Sequence, residues 1–170
     1  LAATLPLSPV RGQVDRVEGV TAPPVAWGGY AAPTPGGLLF GATHDRGETS
    51  ATPNSTSTAR NIETLAARLP RLAARIKAMD GTEARAAIRA STPDRLPLAG
   101  LLAPGLFVLG GLGSRGFCLA PLLAEHVAAM TLGAPSPLPA ALAARVEPNR
   151  FVMARPLAKP PPERDAPSQG

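Results

Sequence analysis

The order of apolar and polar positions divides this chain into a strand-rich first part, a helical middle and a second strand-to-helix passage. From Leu5 to Phe40 short apolar runs alternate with turn residues. Val10 to Val17 switches between apolar and polar, Gly28-Gly29 and Pro35-Gly36-Gly37 mark turns, and Leu38-Leu39-Phe40 resumes an apolar run. This pattern predicts an antiparallel sheet. Residues 43–58 are polar and rich in Gly, Ser and Thr, a loop that ends with Ser55, Ser57 or Thr58 as the candidate helix N-cap. Beyond it Ile62, Leu65, Leu69, Leu72, Ile76 and Met79 recur at helical spacing, while Arg60, Arg68, Arg71 and Arg75 fall largely off that stripe. The spacing predicts a helix with one core-facing side. Pro70 lacks an N–H and crowds the turn before it, so the helix is expected either to kink or to divide in two.

Ala84 to Ala90 is short and runs into Thr92-Pro93-Asp94, where the residue before proline disfavours helix; a strand is expected there. Leu96 to Gly100 is a second short apolar segment, and Leu106-Phe107-Val108-Leu109 is the strongest buried-strand candidate. Between about Ala120 and Thr131 the positions of Leu122, Leu123, Val127 and Met130 are helical, and Gly133 before Pro135 supplies the stop. Beyond Phe151 the chain turns polar, with Pro160-Pro161-Pro162, and has too little apolar area to offset the entropy of ordering. A disordered tail is expected over 156–170.

Composition narrows the picture. With 170 residues, 45% of them hydrophobic and 17% charged, and mean hydropathy +0.08, the chain is one domain of ordinary size or a piece of a larger one, and not a charged disordered segment. The longest apolar run is interrupted by Gly110, Gly111, Gly113, Ser114 and Arg115, which leaves no stretch of the roughly 20 residues a membrane-spanning helix needs. The single cysteine, Cys118, excludes an internal disulfide and reads as a small buried residue. His44 and His126 stand far apart, with no zinc-ligand spacing, and read as surface or helix residues. A net charge of +5 and a pI near 10.6 permit contact with nucleic acid, although the 17 basic residues are spread along the chain. The first residue is Leu1, with neither a basic leader nor a cleavable apolar segment after it, and a fragment of a longer protein is expected.

One motif invites a nucleotide-binding reading. Gly111-Leu112-Gly113-Ser114-Arg115-Gly116 is a literal G-x-G-x-x-G between a predicted strand and a predicted helix. A complete dinucleotide unit continues into a further strand ending in Asp or Glu about 20 residues on. Here the helix is followed by Gly133-Ala134-Pro135-Ser136-Pro137, and the next acid is Glu147. What remains is close backbone approach at the glycines and a helix N-terminus whose free N–H groups face an electron-rich ligand edge.

Several segments together resemble a known family. They are Pro9-Val10-Arg11-Gly12-Gln13, Gly29-Tyr30 with Pro33, Phe40-Gly41-Ala42-Thr43, the run from Arg89 to Gly100, and above all Leu112-Gly113-Ser114-Arg115-Gly116-Phe117-Cys118-Leu119-Ala120-Pro121-Leu122; Pro148-Asn149-Arg150-Phe151 resembles the family's ending. The resemblance is to the flavin oxidoreductase part of the bacterial bifunctional tRNA 5-methylaminomethyl-2-thiouridine biosynthesis proteins, within the D-amino acid oxidase and glycine oxidase superfamily. It covers about Leu5 to Arg155. The family's N-terminal glycine fingerprint for the ADP part of FAD is not in this chain, nor is the methyltransferase half.

The resemblance implies an α+β fold: an antiparallel substrate-binding sheet with flanking helices over 1–90, and over 91–155 the last strand and helix of a glutathione reductase-type FAD domain. It implies oxidative removal of the carboxymethyl group from 5-carboxymethylaminomethyl-(2-thio)uridine at the tRNA wobble position, giving aminomethyluridine and glyoxylate, in the cytoplasm. The implied partners are tRNA and the missing N-terminal FAD-binding and methyltransferase portions, with no membrane. Two alternatives stay open, a glycine- or sarcosine-type amine oxidase acting on a free substrate and a noncatalytic truncated remnant. By the same resemblance Arg89, in an Arg-x-x-Thr-x-Asp pattern, holds the substrate carboxylate through its guanidinium fork, and Tyr30 donates a hydrogen bond beside it. Gly111, Gly113, Ser114, Arg115, Gly116, Phe117, Cys118 and Leu119 approach the flavin, with Arg115 facing flavin, substrate or tRNA phosphate. No residue is assigned as catalytic, because the flavin carries the chemistry. The covalent flavin cysteine of sarcosine oxidases falls near Ile88 or Arg89, where this chain has none, so FAD is expected to be noncovalent. Thr43-His44-Asp45-Arg46 is either a mouth loop meeting tRNA or a solvated loop, and Arg145, Arg150, Arg155, Lys159 and Arg164 form either a phosphate-contacting edge or a solubilising tail.

Overall fold

The computed structural model of the chain describes residues 5–79 and 81–153. The expected tail, with Arg155, Lys159 and Arg164, lies outside the described residues. The architecture is α+β, with two antiparallel sheets and helices beside each.

The first sheet is organised by β1 (Ser8–Glu18). One edge of β1 pairs with β4 (Gly37–Gly41) and then β5 (Asp45–Arg46); the other edge pairs along nearly its whole length with β6 (Glu83–Ser91). β3 (Tyr30–Thr34) follows β4, and β2 (Val25–Ala26) closes that side. The period of two sorts the side chains of β1. Arg11, Gln13, Asp15 and Val17 point to the helices, and Val10, Gly12 and Val14 to the opposite, open face.

The expected helix over the arginine-flanked stripe is two helices. α1 (Ser55–Arg68) ends at Leu69, and Pro70 opens α2 (Pro70–Lys77), where a proline's missing N–H costs nothing. The stripe packs as expected: Leu65, Ala73 and Ile76 join Val17, Val20, Ala31, Leu38 and Phe40 in one core, with Ile62, Leu69 and Leu72 partly buried against it. The N-cap is Asn54, not one of the three hydroxyl residues expected. Its extended backbone aims its side-chain oxygen at the Ser57 N–H, at 2.8 Å. Ser57 is itself buried and accepts from Arg11.

The helix-facing side of β1 carries polar residues buried as fully as the apolar core. Arg11 donates to Ser57 Oγ, Gln13 Oε1 and the Thr52 carbonyl. Gln13 Nε2 donates to the Asn54 carbonyl and Thr58 Oγ1. Asp15 accepts from the Thr58 hydroxyl and from Asn61 Nδ2, both at 2.6 Å. These hydrogen bonds tie β1 to α1 and to the loop before it and satisfy the buried polar groups, the condition under which such groups are tolerated inside.

The second sheet is a hairpin of β7 (Leu98–Ala103) and β8 (Leu106–Gly110), packed against α3 (Gly116–Leu132), with α4 (Ala140–Val146) and the short α5 (Arg150–Met153) completing the layer. Its core joins Ala99, Leu123 and Val146. α3 begins four residues before the expected start and stops, as expected, at Gly133 in the left-handed conformation. Two expectations are corrected here. Leu106 to Leu109 is a strand but not a buried one: Leu106 and Leu109 are 37% and 38% exposed, because β8 pairs only with β7 among the described residues. Cys118 is exposed, since α3 buries only the line of Leu123, His126 and Ala129. His126 is a helix residue, one of the two expected readings, and it is buried, with Nδ1 2.7 Å from Ser136 Oγ.

Candidate functional site

Two features join the sheets and build a cleft between them. Ser91, at the end of β6, forms a bridge to Leu112, which brings the glycine turn onto the end of the first sheet. The turn after β6 is held by Thr92 Oγ1 donating to the Leu96 carbonyl and by the Arg150 guanidinium, which donates two hydrogen bonds to Asp94, at 2.9 and 3.1 Å. Partial burial works against the Asp94 charge, but hydrogen bonds from Arg150, the Leu96 N–H and Thr92 outweigh it and hold the pKa at about 2. Asp94 is thus committed to Arg150 and not to Arg89.

The cleft has a volume of about 850 Å³. On its sheet side are Val10, Arg46 and Arg89; on its turn side are Gly113, Ser114 and Arg115, with Arg95 and His44 at the rim. No carboxylate lines it, so four arginines face a common space without a counter-charge among the described residues. Arg89 lies on the open face of the sheet, opposite Val10 in register, half-buried, and makes no hydrogen bond or ion pair among the described residues. It lies against Gly12, where any Cβ would overlap the guanidinium. Gly12 sits in mid-strand, where glycine weakens a strand unless another group approaches closely; that rule was the available signal, and sequence reasoning did not assign Gly12 a role.

Arg115 is exposed, and its Nη2 donates to the Arg95 carbonyl at 2.8 Å, which sets the guanidinium at the mouth. Gly111 (φ +62°) is buried beneath the turn against Thr92, and Gly113 (φ +54°) lines the cleft; both use the left-handed region natural to glycine. Gly116, Phe117, Cys118 and Leu119 form the first turn of α3 and are not part of the cleft lining. No side chain caps α3, so its first-turn N–H groups have no side-chain acceptor.

Tyr30 does not line the cleft. The register nevertheless places it on the same open face as Arg89, through Tyr30–Gly41 and Gly41–Val14 pairs. Burial raises the Tyr30 pKa above 10, and the charge of Arg89 partly offsets that, so the two side chains share one electrostatic environment.

The donor set suits a flavin edge: an uncapped helix N-terminus after the turn, one left-handed glycine, Gly113, bordering the cleft, and a cationic cleft lined by the turn. Comparison with known proteins agrees. The family described as FAD dependent oxidoreductase matches residues 1–130, and the chain belongs to that family. Among named relatives it is 59% identical over 151 residues to the tRNA 5-methylaminomethyl-2-thiouridine biosynthesis bifunctional protein MnmC of Caulobacter vibrioides, covering 89% of this chain and 25% of the relative. To the protein of the same name in Maricaulis maris it is 41% identical over 151 residues, covering 88% of this chain and 25% of the relative. The chain thus spans about a quarter of the length of these curated relatives. Among solved structures, glycine oxidase from Geobacillus kaustophilus superposes with a TM-score of 0.72 at 25% identity, covering 86% of this chain and 40% of that one.

Proposed function

We propose that this chain forms the substrate-binding sheet and the flavin-facing turn of an FAD-dependent enzyme that removes the carboxymethyl group from 5-carboxymethylaminomethyl-(2-thio)uridine at the tRNA wobble position, leaving aminomethyluridine and releasing glyoxylate. The observation that carries the proposal is Arg89: an arginine with no anionic partner among the described residues, on the open face of the sheet, across from the glycine turn in a cleft that no carboxylate of the described residues lines. The names of the relatives supply the tRNA substrate.

Bound noncovalently, FAD supplies the two-electron acceptor. Arg89 grips the carboxylate of the glycine unit through two parallel N–H donors, and Tyr30 adds a hydroxyl donor from the same face. Together they hold the α-carbon in one place and orientation, the entropic part of the work. Gly113 to Arg115 and the first-turn N–H groups of α3, at Gly116, Phe117, Cys118 and Leu119, would hold the cofactor's electron-rich edge and would stabilise negative charge on it. We place the division between substrate-binding and FAD-binding parts at residue 90.

A second reading, an amine oxidase acting on free glycine or sarcosine, draws on the likeness to the Geobacillus glycine oxidase. The deciding experiment replaces Arg89 with Lys in the complete enzyme. Turnover on tRNA carrying the carboxymethylaminomethyl group is expected to fall at least tenfold, since lysine cannot reproduce a bidentate grip. Unchanged turnover overturns the role, and preferential turnover of free glycine by the unsubstituted enzyme favours the second reading.

A further inference from the structure

The register of the first sheet places two arginines in one row. Val10 is paired with Arg89 on β6 at one side and with Arg46 on β5 at the other. Residues directly opposite in antiparallel strands share a face, so Arg46, Val10 and Arg89 lie side by side on the open face. The neighbour of Arg46 supports this orientation: Asp45 turns to the helix side, where it meets Arg60 at 2.8 Å and Arg11 at 3.7 Å. Arg46 is exposed, lines the cleft with Arg89, and makes no side-chain hydrogen bond or ion pair among the described residues.

The placement of the two side chains suggests what the pair binds. The Arg89 guanidinium is set against Gly12, two residues along β1 from the Val10 row that holds Arg46. Arg46, with no partner among the described residues, is therefore a second cation on the same face and can serve a second anion. A free amino acid such as glycine brings one carboxylate. A glycine unit attached to a nucleotide brings the carboxylate and, further along the same molecule, a phosphate. We infer that Arg46 forms a second anion subsite of the cleft, which holds a phosphate of the polynucleotide while Arg89 holds the carboxylate. This rests on the carboxylate role of Arg89 set out above. His44, beside Arg46 on the rim, lies within the same subsite.

The test uses the complete enzyme with two substrates: tRNA bearing the modified uridine, and the same modified nucleoside without phosphates. Replacing Arg46 with Gln is expected to raise KM for the tRNA about three- to tenfold with kcat unchanged, and to lower the slope of log(kcat/KM) against log salt by about 0.7, the loss of one contact to a single-stranded phosphate. Arg46→Lys is expected to restore most of the tRNA KM, because a phosphate accepts a point charge. The nucleoside's kinetics are expected to be unaffected by either change. An unaltered tRNA KM and salt slope in Arg46→Gln, or an equal loss on the nucleoside, overturns the subsite. Arg89→Lys in the same assays separates the two ideas: it is expected to impair both substrates, and if it impairs neither, the carboxylate role fails while the salt slope at Arg46 is still read independently.

Discussion

The guanidinium of Arg89 lies against the backbone of Gly12 on the neighbouring strand, in space that a Cβ at position 12 would fill. The atoms in the way are the mobile end of a long side chain. A methyl group there would displace Arg89 at little cost to the sheet, and alanine suits a strand interior at least as well as glycine. Gly12→Ala in the complete enzyme is therefore expected to raise KM for the glycine-bearing substrate by about tenfold or more, while the unfolding midpoint stays within about a degree. Steady-state kinetics beside a thermal melt check this. A lowered midpoint with unchanged KM would make Gly12 a packing residue only.

Asn61 holds the carboxylate of Asp15 and the Gln13 carbonyl from α1, with donor distances of 2.6 and 2.9 Å. Asn61→Ala leaves a fully buried carboxylate with the Thr58 hydroxyl as its one remaining hydrogen-bond donor among the described residues. The expected loss is about 3 kcal/mol of stability, from a buried charged group left half satisfied. Denaturant unfolding measures it; a loss below about 1 kcal/mol would show that water enters to replace the amide.

That network also marks the limit of what the sequence discloses. Alternation along Val10 to Val17 is enough to predict a strand, and Pro70 and Gly133 punctuate helices by local chemistry alone, so each is legible without a partner. Which face of β1 meets the helices is not legible. The helix side carries Arg11, Gln13 and Asp15, polar residues that alternation would send to water, and their burial depends on acceptors and donors more than 40 positions away. Asn54 takes the cap from three hydroxyl residues close by because Gln13 also fixes its backbone, accepting the Asn54 N–H at 2.9 Å. Leu109 and Cys118 read as buried from their types alone, yet among the described residues β8 pairs only with β7 and α3 buries a different line of side chains. In the candidate site, Arg89 and the glycine turn were readable as a family pattern. The row through Arg46 and Val10 arises from strand register, which no local pattern encodes.

Asp94 links the turn after β6 to α5 through the two hydrogen bonds from Arg150. Its pKa of about 2 lies below that of a free carboxyl, so the pairing stabilises the fold fully above about pH 4 and is lost as pH falls through 2. Asp94→Asn is expected to lower the unfolding midpoint by a few degrees at pH 7, as a paired charge near the surface is worth about 1 kcal/mol. The difference between the two proteins should be constant from pH 7 to about 4 and shrink below that. A difference that already shrinks near pH 6 would assign the effect to another group.

Tyr30 faces two opposed influences: burial, which disfavours the phenolate, and the Arg89 charge, which favours it; burial is the larger. In the proposed role the hydroxyl therefore stays a donor to the substrate carboxylate through the pH range in which a free tyrosine is protonated. Tyr30→Phe removes that donor without changing the ring. It is expected to raise KM for the glycine-bearing substrate about three- to tenfold, the range of one hydrogen bond to a charged group. Because ionisation is pushed upward, the ratio of the two KM values should stay level from pH 6 to about pH 9 and converge only at higher pH. Convergence near pH 8 would mean that Arg89 dominates and that the hydroxyl ionises within the working range, which would remove Tyr30 from the carboxylate grip.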